Sequence, residues 1–108
     1  MDNIFKALAD NTRRQILDSL QIEDGQTLSE LEAQFPSMTR FAVMKHLKIL
    51  EQAQLVGTRK VGRCKHHYLN TVPIQELADR WISRFAAPWA KGLIDLRDGI
   101  EQVAERKA

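Results

Sequence analysis

Residues 39–67 read TRFAVMKHLKILEQAQLVGTRKVGRCKHH. The first half has the period of a helix: Val43, Leu47 and Leu50 recur at i, i+4 and i+7 as one apolar stripe. The second half reads as two short strands, Leu55 to Lys60 and Lys65 to Leu69. Val61-Gly62-Arg63 lies near the turn, with Gly62 supplying backbone freedom. Seven bases fall in the stretch (Arg40, Lys45, Lys48, Arg59, Lys60, Arg63 and Lys65) against the single acid Glu51. That is a charge of +6 in a chain whose total is +2, so everything else sums to −4. A basic helix followed by a basic hairpin is the electrostatic footprint of a surface that meets a phosphate backbone.

Upstream, Thr39 caps this helix and Pro36-Ser37-Met38 breaks the chain before it. Thr27-Leu28-Ser29-Glu30 is a capping box that opens another helix, with Leu28, Leu31 and Phe35 inward. Two short helices joined by three residues, the second one basic, make a helix-turn-helix over about residues 27–53. A hairpin over about 55–69 completes a winged helix. Asp10 is an N-cap for a further helix carrying Ile16, Leu17 and Leu20, which Glu23-Asp24-Gly25 closes. Ile4, Phe5 and Leu8 predict a short first helix over about 3–9. The predicted class is therefore mainly α, an α+β winged helix-turn-helix with a two-stranded wing and helices at both ends.

Downstream, Pro73 suits a first helical position with Thr71 as its cap. Ile74, Leu77, Ala78, Trp81, Ile82 and Phe85 form a wide apolar stripe, which Pro88 interrupts. Trp89, Leu93, Leu96, Ile100 and Val103 then alternate steps of four and three, a coiled-coil-like seam. The first three helices already fill a small core, so this helical region, about 73–104, is expected to pair with a second subunit, the alternative being a seam packed on its own domain. Trp81, Phe85 and Trp89 bracket Pro88 and are read as core, the alternative being a pocket for a small apolar ligand.

A chain of 108 residues, 44% apolar and 28% charged, is expected to be one globular domain. No run of eighteen apolar residues occurs, so no membrane span is expected. The first residues lack a basic region followed by an apolar one, so no secretory signal is expected. One cysteine, Cys64, forms no internal disulfide and fits the cytoplasm. An enzyme is not expected: there is no nucleophile–base pair and no Gly-rich phosphate loop, and Asp95 and Asp98 read as a solvated helix face.

With the stripe inward, residues 40, 41, 44, 45 and 48 fall on or near the outer face of the helix that Thr39 opens. Arg40 is read as a bidentate partner for guanine. Phe41 and Met44 are read against thymine methyls, the alternative for Phe41 being a core aromatic. Lys45 and Lys48 are read as phosphate contacts, and His46 as a packed, hydrogen-bonded residue. Arg59, Lys60, Arg63 and Lys65 belong to a wing that meets DNA, Arg63 entering the minor groove; the alternative is a solvated turn. Thr12 and Arg13 open the second helix and suit a phosphate contact or, equally, a surface salt bridge. Cys64 and His66 share a strand face, but two ligands are too few for a metal, and no cofactor is expected. Cys64 is read as a small half-buried residue, the alternative being a redox sensor activated by Arg63 and Lys65.

FKALADNTRRQIL, TLSELE, MKHLKIL, AQLVGTRKVGRCKHHYL and the final helix together resemble the ArsR-type winged-helix repressors of bacteria, over roughly residues 4 to 100. MTRFAVMKHL and DRWISRFAAPW resemble a subgroup whose members often lack the metal-sensing residues. The resemblance implies a homodimer that pairs through its first and last helices, binds double-stranded DNA at a palindromic operator, represses transcription and lets go when an inducer binds. On that reading Phe5, Leu8, Trp81, Phe85, Trp89, Leu93, Leu96 and Ile100 form the dimer interface. The family usually has Pro where Asn11 stands. Its cysteine pair has no counterpart around Leu28-Ser29-Glu30-Leu31, and His46, His66 and His67 all precede the last helix. Both usual metal sites are therefore absent from the sequence. The alternatives are a winged helix that docks a protein partner and a redox-responsive regulator using Cys64.

Overall fold

The computed structural model describes residues 2–81. In chain order the elements are α1 (Asp2–Leu8), α2 (Asn11–Ile22), β1 (Gln26–Thr27), α3 (Leu28–Glu32), α4 (Arg40–Gln52), β2 (Val56–Val61), β3 (Cys64–Leu69) and α5 (Val72–Trp81). The chain divides into two units, Met1–Ile74 and Gln75–Ala108. The first holds the helix-turn-helix and the wing. Of the second, only the end of α5 lies among the described residues.

Three helix starts, those of α2, α3 and α4, carry the caps that the sequence predicts. The Asp10 carboxylate accepts from the Arg13 amide at 3.1 Å, and Thr39 Oγ1 accepts from the Ala42 amide at 3.1 Å. Thr27 Oγ1 accepts from the Glu30 amide at 3.3 Å and its hydroxyl donates to Glu30 Oε1 at 3.2 Å. The capping box thus closes side chain to side chain rather than back onto the Thr27 amide. At α5 the Val72 amide is met by Asn70 Oδ1 at 3.3 Å, one residue before the threonine expected.

The core sits where α2, α3 and α4 converge. Its largest fully buried side chains are Ile16, Leu20, Leu31, Val43, Leu50 and Leu55. The inward stripe of α4 is as expected, with Val43, Leu47 and Leu50 all buried. In α1 the fully buried residue is Ala7, while Ile4 and Leu8 pack at the core margin and Phe5 stays exposed.

The two-stranded wing is as expected, and the connection inside the helix-turn-helix is corrected. The connection between α3 and α4 is not three residues but the seven of 33–39. The helix stops early because the amides of Gln34 and Phe35 bond three residues back, to Leu31 O and Glu32 O, and Pro36 offers no amide to resume it. Phe35 and Met38 still pack against the core from this loop. The wing's two strands belong to a three-stranded antiparallel sheet in the order β1-β3-β2. The extra strand is only Gln26 and Thr27, paired with His67 and His66. Both histidines fasten it: His66 Nδ1 donates to Gly25 O at 2.7 Å and His67 Nδ1 to Gln26 O at 2.9 Å. Gly25, at φ +78°, is needed there, since a Cβ would lie 3.1 Å from the Tyr68 ring.

The end of α4 fixes where the wing begins. Leu55 N donates to Leu50 O and Gln54 N to Glu51 O, both at 3.0 Å. That pair of bonds is a Schellman motif. Leu50 and Leu55 are both fully buried, the apolar contact such a motif favours. Gln54 sits at φ 61°, where a side chain crowds the backbone. Gln54→Gly is therefore expected to stabilise the fold by about 0.5–1 kcal/mol, the left-handed penalty less glycine's entropy cost. A higher urea midpoint at unchanged slope is the expected result.

Candidate nucleic-acid interface

Because Val43, Leu47 and Leu50 face inward, Arg40, Phe41, Met44, Lys45 and Lys48 stand exposed on the opposite side of α4. Phe41 is 76% exposed, so it is not the core aromatic that its place near Pro36 left open. Two large apolar side chains, Phe41 and Met44, thus stand in water among three bases.

The β2–β3 register brings the wing to the same region. Lys60 pairs with Lys65 and Val61 with Cys64, leaving Gly62 and Arg63 as the two-residue turn, with Gly62 at φ +61°. A groove of about 910 Å³ runs between the elements. From α4 it takes Arg40, Phe41, Met44, Lys45 and Lys48; from the start of α3, Leu28 and Ser29; from the wing, Arg63, Cys64 and Lys65. Arg59 and Lys60 are exposed on β2 but do not line it. Cys64, expected to be half-buried, is exposed. It stands at the tip, beyond the reach of the core.

Charge in the groove is only partly matched. Glu51 holds Lys65 (Nζ to Oε1, 2.7 Å) and Glu32 holds Arg40 (Oε2 to Nη1, 2.9 Å). Among the described residues Lys45, Lys48, Arg59, Lys60 and Arg63 make no ion pair. No group of three or more His, Cys, Asp or Glu side chains is placed to hold a metal, again among the described residues. Nor does any helix there have the length and apolarity to cross a membrane.

One candidate phosphate contact moves from the surface to the interior. Arg13 is only 9% exposed. Its Nε donates to Ala7 O at 2.9 Å and its Nη2 to Lys6 O at 2.8 Å, while Nη1 meets His46 Nδ1 at 3.2 Å. It satisfies carbonyls at the end of α1 and is not available for a phosphate. His46 is packed and hydrogen-bonded, as expected. Of the residues assigned to a dimer interface, Phe5 is 48% exposed, Leu8 packs at the core margin, and Trp81 is 53% exposed with the Arg80 guanidinium 5.8 Å from its ring centre. Phe85, Trp89, Leu93, Leu96 and Ile100 lie outside the described residues.

A short helix, a loop, a second helix with an exposed basic face and a basic two-stranded wing beside it define a winged helix-turn-helix, a DNA-binding module. The comparisons with known proteins agree. A family described as a helix-turn-helix domain matches residues 8–59. The chain is 42% identical over 86 residues to the HTH-type transcriptional regulator YuzN of Bacillus subtilis (strain 168), spanning 75% of this chain and 94% of that one. It is 34% identical over 85 residues to the transcriptional repressor SdpR of the same organism, spanning 79% and 91%. Its fold superposes on an ArsR-like transcriptional regulator from Rhodococcus sp. RHA1 with a TM-score of 0.67 at 33% identity, covering 90% of this chain and 89% of that chain. The chain belongs to the ArsR-type family of winged helix-turn-helix transcriptional regulators. It is a DNA-binding regulator, in a family of regulators rather than enzymes.

The Asp10 cap anchors α2, and with it Arg13. The Arg13 amide holds the Asp10 carboxyl below the ordinary aspartate range; partial burial opposes this, and the Arg13 and His46 side chains reinforce it. Asp10→Ala should cost about 0.5–2 kcal/mol at neutral pH. A depressed folded pKa contributes stability above the unfolded value of about 3.9 and loses it as pH falls through the folded value. The gap between wild type and variant should therefore narrow on acidification below about pH 4, as read from urea midpoints at successive pH values.

Proposed function

We propose that the chain binds a palindromic operator as a homodimer in the cytoplasm and represses transcription there, with release on binding a small-molecule inducer. The observation that carries this reading is the shared groove, in which the outer face of α4 and the wing tip bring unpaired bases beside exposed apolar side chains. The major groove admits one helix, and α4, opened by Thr39, is the helix that enters it. Arg40 contacts a guanine, Phe41 and Met44 press on thymine methyls, and Lys45 and Lys48 hold phosphates. Arg59, Lys60 and Lys65 carry the wing along the backbone, with Arg63 in the minor groove. Repression is supported by the likeness to SdpR, which is named a transcriptional repressor.

The dimer pairs through α1 and the helical region that begins with α5, using Phe5, Leu8 and Trp81 together with Phe85, Trp89, Leu93, Leu96 and Ile100. The exposed aromatic surfaces of Phe5 and Trp81 support this, since large apolar side chains left in water favour a partner.

Selection from a random DNA pool should yield sites with two-fold symmetry whose half-sites lie ~34–36 Å apart or a multiple of it. On such a site Lys48→Ala should weaken binding to all sequences alike and lower the salt slope by about 1. Arg40→Ala should instead relax preference at one base pair by about 1–3 kcal/mol. Gel retardation across a salt series measures both. A monomer by sedimentation that ignores duplex DNA even in dilute buffer would sink the proposal.

A further inference from the structure

Glu32 is the last residue of α3 and Arg40 the first of α4, so their ion pair bridges the loop of the helix-turn-helix. Arg40 Nη1 donates to Glu32 Oε2 at 2.9 Å and to Ser29 Oγ at 3.3 Å. A guanidinium has five N–H donors in one rigid plane. Two are taken on Nη1. Among the described residues, the Nε and Nη2 donors of Arg40 meet no acceptor. Those two nitrogens form one edge of the plane, the kind of edge that matches O6 and N7 of guanine.

The pair has little to do with holding the fold together. The Arg40 side chain is 54% exposed and that of Glu32 32%, and ion pairs in such settings stabilise proteins little. Its larger effect is on order. A free arginine samples many rotamers, and a ligand must freeze them on binding. Here one side of the guanidinium is already fixed at the groove wall.

We propose that Glu32 is a positioning residue for base recognition. It holds Arg40 by one nitrogen so that the Nε–Nη2 edge is presented to the base. Its negative charge, held 2.9 Å from an arginine that lines the groove, also disfavours complexes in which Arg40 makes only a backbone contact. The proposal rests on Arg40 as the base-reading residue given above.

Two effects should separate in Glu32→Gln. Losing a negative charge beside the groove tightens binding to random duplex, whereas releasing Arg40 weakens discrimination. A residue with a purely structural role would weaken both together as the melting temperature fell.

The test uses the full chain, a site recovered by selection and the same site with the Arg40-sensitive base pair replaced. Glu32→Gln should bind random duplex more tightly yet lose about tenfold of the discrimination between the two sites, within the range one bidentate contact supplies. Glu32→Asp should recover part of it, and in an Arg40→Ala background Glu32→Gln should change discrimination no further. Thermal melts establish that each variant is folded, with Glu32→Ala as the second variant should Glu32→Gln fail. If Arg40→Ala loses discrimination while Glu32→Gln keeps it, or if Glu32→Gln acts equally without Arg40, the positioning role is overturned and base reading stands. If Arg40→Ala discriminates like wild type, both readings fall.

Discussion

The outward face of α4 exists because its inward face cannot turn. Val43, Leu47 and Leu50 are all buried, and full burial of side chains of this size is worth roughly 1.5–3 kcal/mol each. Neighbouring residues on a helix lie about 100° apart, so rotation by one position would draw Met44, Lys48 and Glu51 inward and take two ionic side chains out of water in place of three apolar ones. The same constraint reaches the wing. Leu55, fully buried like Leu50 and bonded to its carbonyl, fixes the point at which the chain leaves α4 for β2. Helix and wing therefore share one anchor, and their exposed surfaces meet at a set geometry.

On this frame the charges are arranged at some cost to the free protein. Lys60 and Lys65 are directly opposite across the wing, where like charges destabilise a strand pair. Glu51 relieves this by taking Lys65, and Glu32 takes Arg40. Exposed pairs of this kind return only about 0–1 kcal/mol each, and five further bases nearby have no acidic partner among the described residues. A folded monomer gains nothing from that concentration. A polyanion gains from it directly, because each phosphate neutralised releases condensed counterions. The chain's modest total of +2 conceals this, since its acids are concentrated elsewhere in the sequence.

What was readable in the sequence was whatever repeats with a period or is signalled by a neighbouring residue. The stripe 43–47–50, the caps at Asp10, Thr27 and Thr39 and the hairpin around Gly62 all depend on local spacing, and the groove residues of α4 follow from the stripe by geometry alone. Features that depend on distant partners were not readable. Gln26 and Thr27 form too short a strand to show alternation, and their pairing is set by histidines about forty residues away. The loop at 33–39 looked shorter because Phe35, at helical spacing from Leu28 and Leu31, stays partly buried after the helix has ended. Arg13 looked like a surface base because two of its partners are main-chain carbonyls, which leave no mark in a sequence, and the third is 33 residues away.

Arg13 is nonetheless what ties α1 to α4. Besides the two carbonyls, its Nη1 lies 3.2 Å from His46 Nδ1. Through one buried side chain the last carbonyls of α1 and the middle of α4 are bonded to the start of α2. Hydrogen bonds from a charged donor contribute about 1.5–3 kcal/mol each. Displacing α1 while α4 stayed in place would strand those donors away from water. In the dimer proposed above, the helix that pairs and the helix that reads would thus move as one body. The distance between the two reading helices would then be set by the pairing contact and not by a compliant linker, as recognition of half-sites at a fixed spacing requires.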